Sequence, residues 1–187
     1  SNKAAEFIDI RKQLADLRMT KQSIEIKAIS RAIDTTIDAF KSIKSNLNNF
    51  SDERQIQGIL NQSFFNANTQ HAYLPIVASG KNACTLHYIE NRDKLSIDDL
   101  ILIDAGAEWS NYASDITRTY SYKNVSKRQR SVFSAVKDVQ DFAMQNLRPG
   151  ITIKDYEQRV EGYMGRKLKA LGLIDTNKKD DIRKYYP

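Results

Sequence analysis

Two aspartates, Asp104 and Asp115, lie within residues 100–120, LILIDAGAEWSNYASDITRTY. A run of apolar residues leads into Asp104, and alternating polar and bulky residues follow Asp115, as in two strands joined by a turn. If Trp109-Ser110 is a two-residue loop, the carboxylates lie directly opposite each other on one face, with Cβ atoms roughly 4.5–5.5 Å apart. A loop displaced by one residue at each end keeps both on that face but offsets them diagonally.

Two carboxylates at this separation repel each other by roughly 3 kcal/mol at an effective dielectric of about 20. The repulsion is relieved if one is protonated, if a cation binds both, or if an odd-length loop separates them. A divalent metal ion is the alternative that gives the pair a chemical purpose. Oxygen ligands favour manganese or magnesium, and added imidazoles would admit zinc or cobalt. On spacing alone, two unrelated turn aspartates stay the competing interpretation.

The composition limits the partners that we expect for the 187 residues. Hydrophobic residues make up 41% and charged residues 28%, which is ordinary for one domain with a sizeable core. The net charge is +6, but basic and acidic residues are interspersed along helices, so we expect no nucleic-acid partner. The single cysteine, Cys84, excludes an internal disulfide and favours a reducing, cytoplasmic compartment. No apolar run approaches the ~18–20 residues of a membrane span, so we expect no membrane partner.

Helical periodicity marks both ends of the chain. In the N-terminal third it predicts helices over 6–18, over 21–47 with Thr20 as the N-cap, and over 51–65. In the C-terminal third it predicts helices from Ser126 to Leu147 and from Thr152 onwards, followed by a charged tail over 177–187.

The segment between these helical regions has the composition of strands. Residues 73–80 predict a strand that turns at Gly80-Lys81-Asn82 into a second strand over 84–88. His71 precedes the first strand and is interpreted as a loop residue without a role.

The hairpin resembles the signature of the pita-bread (M24-type) metallopeptidases, most closely the branch of aminopeptidase P and Xaa-Pro dipeptidase. The matching residues are Asp104-Ala105-Gly106 and the run YASDITRT over 112–119, together with VASG and LHY in the segment 77–88. The sequence motifs of the methionine aminopeptidases match these residues less well. The resemblance implies an α+β fold: an incomplete pita-bread catalytic domain, with an antiparallel sheet and helices packed on one face. It implies that 1–18 is a linker helix from an N-terminal domain, and that 19–187 is the first half and the start of the second half of the catalytic domain.

The resemblance also implies a metal-dependent exopeptidase that hydrolyses the bond between an N-terminal residue and proline by means of a metal-activated water. Asp104 and Asp115 match two ligands of a dinuclear centre, for which manganese is favoured and cobalt or zinc is admissible. His87 matches a histidine that contacts the substrate and could assist the tetrahedral intermediate. A partly buried histidine with one backbone hydrogen bond is the alternative for His87. Thr117, on the face of Asp115, and Tyr73 are expected to hydrogen-bond the ligands.

The remaining ligands of the resembled centre are a histidine in an HGxxH-type motif and two later glutamates, and this sequence has no such motif. The chain ends at Tyr186-Pro187, where the motif is expected to begin. We therefore expect a piece of the enzyme that is inactive alone and binds metal weakly. The expected substrate is a peptide with proline at the second position, and a homodimer stays open. The alternative function is a non-catalytic pita-bread module that binds protein or nucleic acid, although the retained aspartates argue against it.

Overall fold

The computed structural model describes residues 8–175 and 179–185. The chain divides into two units, which meet in sequence at Asn124 and Val125. Within the described ranges, no helix has the length and apolar character needed to cross a membrane.

Three helices open the first unit, with the bounds Arg11–Met19 (α1), Ser23–Asn46 (α2) and Glu53–Asn66 (α3). The prediction of Thr20 as the cap of the long helix is wrong. Thr20 has an extended backbone and ends α1, whereas Gln22 caps α2 in a reciprocal pair of hydrogen bonds with Glu25. For the helix predicted over 6–18, residues 6 and 7 lie outside the described residues, and the prediction over 8–10 is wrong because α1 begins at Arg11.

Among the described residues, six strands form two three-stranded antiparallel sheets. Their bounds are Gln70–His71 (β1), Ile76–Ser79 (β2), Leu100–Ala105 (β3), Ala107–Trp109 (β4), Tyr112–Ala113 (β5) and Ile116–Ser121 (β6). One sheet has the order β2-β3-β6 and the other the order β1-β4-β5. The long hairpin therefore contributes its base, β3 and β6, to one sheet and its tip, β4 and β5, to the other.

Two predictions about the strand region are wrong. The segment over 84–88 is not a strand, because the chain leaves β2 at Gly80, with φ +51°, into a 3₁₀ helix over Gly80–Cys84. The partner of β2 is instead β3, and Ser79 pairs with Ile101. His71 is not in a loop, because it belongs to β1 and pairs with Ala107 of β4.

The core of the first unit lies between the sheets and the helices α2 and α3. Alternate residues of β3, namely Ile101, Ile103 and Ala105, are fully buried in one cluster with apolar residues of both helices. The helical members of this cluster include Ile43, Ile56, Leu60 and Phe64. Because side chains alternate along a strand, Asp104 projects from the opposite face of β3.

In the described part of the second unit, the helices are Lys127–Asn146 (α4), Ile153–Ala170 (α5) and Lys179–Arg183 (α6). The first two agree with the sequence prediction. Ser126 and Gln129 form the expected capping box of α4, and Thr152 accepts a hydrogen bond from the backbone of Asp155 at the start of α5. The rings of Phe142 and Tyr163 stack between α4 and α5 at a centroid distance of 4.3 Å. The predicted tail over 177–187 falls partly outside the described residues.

Candidate metal centre

The tip of the hairpin is a two-residue turn at Ser110-Asn111. Both residues have left-handed backbones, with φ of 54° and 63°, as a turn that matches the twist of its strands requires. Trp109 pairs with Tyr112 immediately before this turn. The first predicted loop, Trp109-Ser110, is therefore wrong by one residue at each end, because asparagine tolerates the left-handed region far better than tryptophan.

The register that follows from this turn sets the relation between the aspartates. Asp104 pairs across the sheet with Thr117, and Asp115 lies just before β6 begins at Ile116. The carboxylates are therefore diagonal neighbours and not directly opposite, as expected for the displaced loop.

Tyr73 brings the two carboxylates together. Its hydroxyl lies 2.6 Å from Oδ1 of Asp104 and 3.0 Å from Oδ1 of Asp115. Burial and hydrogen bonding to the two carboxylates raise the pKa of Tyr73, so the hydroxyl stays protonated and donates. Both carboxylates must project to the same side of the hairpin to reach one hydroxyl, which is the arrangement that a shared cation requires.

The donor chemistry of this pair fits part of a divalent-metal site. Two carboxylates supply hard, anionic oxygens, which manganese, magnesium and calcium prefer. Asp115 is exposed and Asp104 is partly exposed, so an ion could reach them from solvent. Across the described ranges, no group of three or more histidine, cysteine, aspartate or glutamate side chains is arranged to hold a metal. The described residues thus offer two candidate ligands, and any further coordination would have to come from other groups.

Gly106 allows the two halves of the hairpin to approach each other next to Asp104. A Cβ atom at this position would lie 1.8 Å from the carbonyl oxygen of Ser114 and 3.2 Å from the ring of Tyr73. Any side chain would therefore overlap the backbone that leads into Asp115. The glycine of the Asp104-Ala105-Gly106 motif is explained by this close approach.

A buried hydrogen-bond network attaches the same part of the hairpin to α2. The hydroxyls of Thr36 and Ser114 are 2.7 Å apart, and the backbone N–H of Ala107 lies within 2.9 Å of the first and 3.0 Å of the second. Thr36 is fully buried and Ser114 is 4% exposed. The sequence analysis did not identify this network. The serine of the ASD motif was a visible signal, but nothing local pointed to Thr36 as its partner.

The side chains of His87 and Thr117 are both exposed. His87 is exposed and has a left-handed backbone, with φ of 55°, in a turn that follows the 3₁₀ helix. The exposure excludes the alternative of a partly buried histidine. Thr117 is exposed and is the cross-strand partner of Asp104. Substrate contact by His87 and support of the ligands by Thr117 both stay predictions.

Replacing Tyr73 with phenylalanine is expected to lower the free energy of unfolding of the metal-free chain by about 1–2 kcal/mol, because two carboxylates lose a hydrogen-bond donor. Urea denaturation monitored by circular dichroism measures the change. Tyr112→Phe is the control, since the hydroxyl of Tyr112 contacts a single carboxylate, that of Glu25. An equal loss of stability in Tyr73→Phe and Tyr112→Phe would contradict a special role for the Tyr73 hydroxyl that contacts both aspartates.

Comparison with known proteins adds independent evidence on the family. The model of metallopeptidase family M24 matches residues 26–187. A probable Xaa-Pro aminopeptidase of Phaeosphaeria nodorum is 36% identical over 170 residues, which are 89% of this chain and 22% of the relative. Xaa-Pro aminopeptidase 3 of Dictyostelium discoideum is 40% identical over 117 residues, covering 62% of this chain and 23% of the relative.

Solved structures agree with the sequence relatives. Aminopeptidase P of Pseudomonas aeruginosa superposes with a TM-score of 0.86 at 29% identity, covering 99% of this chain and 42% of that one. A histidine-to-alanine variant of Escherichia coli aminopeptidase P gives a TM-score of 0.87 at 30% identity, with coverages of 96% and 41%. This chain thus spans less than half the length of each of these four proteins. The expected partial pita-bread domain of the α+β class is confirmed. The chain belongs to metallopeptidase family M24, whose cofactors are divalent metal ions.

Proposed function

We propose that the natural gene product containing this chain is an exopeptidase that removes an N-terminal residue preceding proline, as an Xaa-Pro aminopeptidase or dipeptidase. The observation that carries the proposal is the convergence of Asp104 and Asp115 on one hydroxyl within an M24 fold. The preference for proline is supported by the names of the sequence relatives. Substrates are proposed to be peptides with proline at the second position.

In this proposal, Asp104 and Asp115 hold divalent metal together with ligands from elsewhere in the gene product. The metal, when bound, supplies an activated water nucleophile and polarises the scissile carbonyl. Manganese is the proposed ion, because oxygen ligands dominate the described part of the site, with cobalt and zinc as alternatives. A zinc-substituted form of E. coli aminopeptidase P is among the similar structures, at a TM-score of 0.83 and 29% identity.

The residues around the aspartates have distinct proposed tasks. Tyr73 orients both carboxylates through its hydroxyl, and Gly106 keeps the two hairpin halves close enough for this contact. His87, exposed on its loop, would donate a hydrogen bond to the substrate as charge develops on the carbonyl oxygen. We propose a cytoplasmic location on the basis of the single cysteine.

The test is an assay of the purified natural gene product on matched peptides with proline or alanine at the second position. Cleavage of only the proline peptide is expected, and Asp115→Asn is expected to lower kcat by at least about 100-fold. Asp38→Asn, which removes an exposed carboxylate that pairs with Lys41, is the control and should retain activity. Equal cleavage of both peptides would refute the proline preference. Specific protein binding without any hydrolysis would favour the non-catalytic module.

A further inference from the structure

Glu53 is a fully buried carboxylate in the first turn of α3, with 0% of its surface exposed. Its Oε1 accepts from the backbone N–H of Ser79 (2.7 Å), the hydroxyl of Ser79 (2.8 Å) and the side-chain amide of Asn82 (3.1 Å). Its Oε2 accepts from the hydroxyl of Tyr88 (2.9 Å) and the backbone N–H of Asp93 (3.0 Å). The one carboxylate therefore binds the beginning, the middle and the end of the segment 79–93.

The segment 79–93 depends on such contacts because it has little regular structure. A 3₁₀ helix covers Gly80–Cys84, and residues 85–93 contain no helix or strand. A second buried polar side chain, Asn91, reinforces the base of the segment. It accepts from the backbone N–H of Val77 at 2.8 Å and donates to the carbonyl of Pro75 at 2.7 Å. Side-chain hydrogen bonds to α3 and β2 thus replace the missing strand ladder.

The same segment carries His87 at its exposed tip. The left-handed backbone of His87 is a conformation that non-glycine residues adopt at a cost, and it persists where the surrounding structure imposes it. Tyr88, the next residue, is bound by Glu53 through its hydroxyl. The conformation of the tip is therefore coupled to the carboxylate within one residue of His87.

We propose that Glu53 is a positioning residue, whose buried carboxylate holds the 79–93 segment in the conformation that presents His87. The presentation of His87 to a peptide rests on the proposed function, whereas the immobilisation of the segment is independent of it. Burial raises the pKa of Glu53, but the hydrogen bonds from Asp93, Ser79 and Asn82 outweigh this effect and leave the pKa below its usual value. Glu53 is therefore ionised at neutral pH and accepts from all of its partners.

A neutral amide cannot replace this carboxylate. The backbone N–H groups of Ser79 and Asp93 can only donate, and they contact different oxygens of Glu53. In Glu53→Gln, the NH₂ group must face one of them, whichever way the amide is turned. One buried donor is then left without an acceptor, which favours opening of the segment.

The experiment compares Glu53→Gln with the wild-type 187-residue chain by amide hydrogen exchange and NMR, without metal or peptide. We expect Glu53→Gln to speed hydrogen exchange at the amides of Ser79 and Asp93. This increase should exceed the increase at the core amide of Ile43 by about tenfold. We also expect backbone order parameters over 84–88 to fall below about 0.6, with shifted resonances of the His87 ring. Thr36→Val is the matched control. It removes a buried hydrogen-bonding hydroxyl from the same unit but should leave these signals unchanged.

A milder variant keeps the test decisive if Glu53→Gln does not fold. Tyr88→Phe removes a single bond to the carboxylate, and we expect the same changes over 84–88 with smaller amplitude. Wild-type order parameters and His87 resonances in a folded Glu53 or Tyr88 variant would overturn the proposal. The same changes in Thr36→Val would overturn it as well, since they would reflect general destabilisation. If Glu53→Gln loosens the segment as expected but the wild-type natural gene product has no peptidase activity, the proposed function alone is refuted.

Discussion

Replacing Gly106 with alanine is expected to destabilise the chain by at least about 3 kcal/mol, at the upper end of the range for overpacked sites. The added Cβ would lie 1.8 Å from the carbonyl oxygen of Ser114, and backbone atoms cannot move aside as a flexible side chain can. The hairpin must open between β3 and the residues before β6. Urea denaturation measures the loss in stability, and NMR shows whether the carboxyl resonances of Asp104 and Asp115 shift as the contact with Tyr73 is broken.

The control for this substitution is Gly58→Ala in α3. Gly58 is exposed inside a helix, and its Cβ would meet no atom within 4 Å. The same chemical change should therefore stabilise the chain by about 0.5–1 kcal/mol, because alanine loses less backbone entropy than glycine. The changes in the free energy of unfolding of the two variants are therefore expected to have opposite signs. A Gly106→Ala chain of unchanged stability would refute the close approach on which the geometry of the candidate site depends.

The 187-residue chain by itself is expected to cleave no proline-containing peptide and to bind Mn²⁺ no more tightly than about 10⁻³ M. The described residues supply two carboxylates and no third ligand near them, so most of the coordination would fall to water. Electron paramagnetic resonance of free Mn²⁺ measures the binding directly. Asp104→Asn and Asp115→Asn should each remove what binding there is, because one carboxylate is too few.

Asp38→Asn again serves as the control, since it lowers the negative charge equally but leaves the hairpin intact. A loss of Mn²⁺ binding in this control would show that the ion responds to net charge and not to the paired carboxylates. Micromolar affinity, or robust proline-dependent cleavage by the isolated chain, would show that the described aspartates do not need the further ligands that the proposed function requires.

The sequence determined the elements whose signals are local. Helices α4 and α5 begin where their capping residues predict, because a cap contacts the backbone only three residues away. The placement of Asp104 and Asp115 on one side of the hairpin also followed from local pattern, since side chains alternate with a period of two and an even-length turn preserves parity. The diagonal offset was among the two registers that this pattern allows.

Tertiary structure decided the contacts between residues distant in sequence. The hydroxyl of Tyr73 that joins the aspartates, the attachment of Ser114 to Thr36, and the burial of Glu53 each depend on how helices and strands pack. Glu53 had the sequence environment of an exposed acid at a helix N-terminus, yet it accepts five hydrogen bonds in the interior. The segment over 84–88 had the composition of a strand, but its Tyr88 hydroxyl donates to Glu53, and β3 occupies the strand position beside β2. A pattern of neighbouring residues specifies periodicity, whereas a buried polar group is specified by partners that only the folded chain brings within hydrogen-bonding distance.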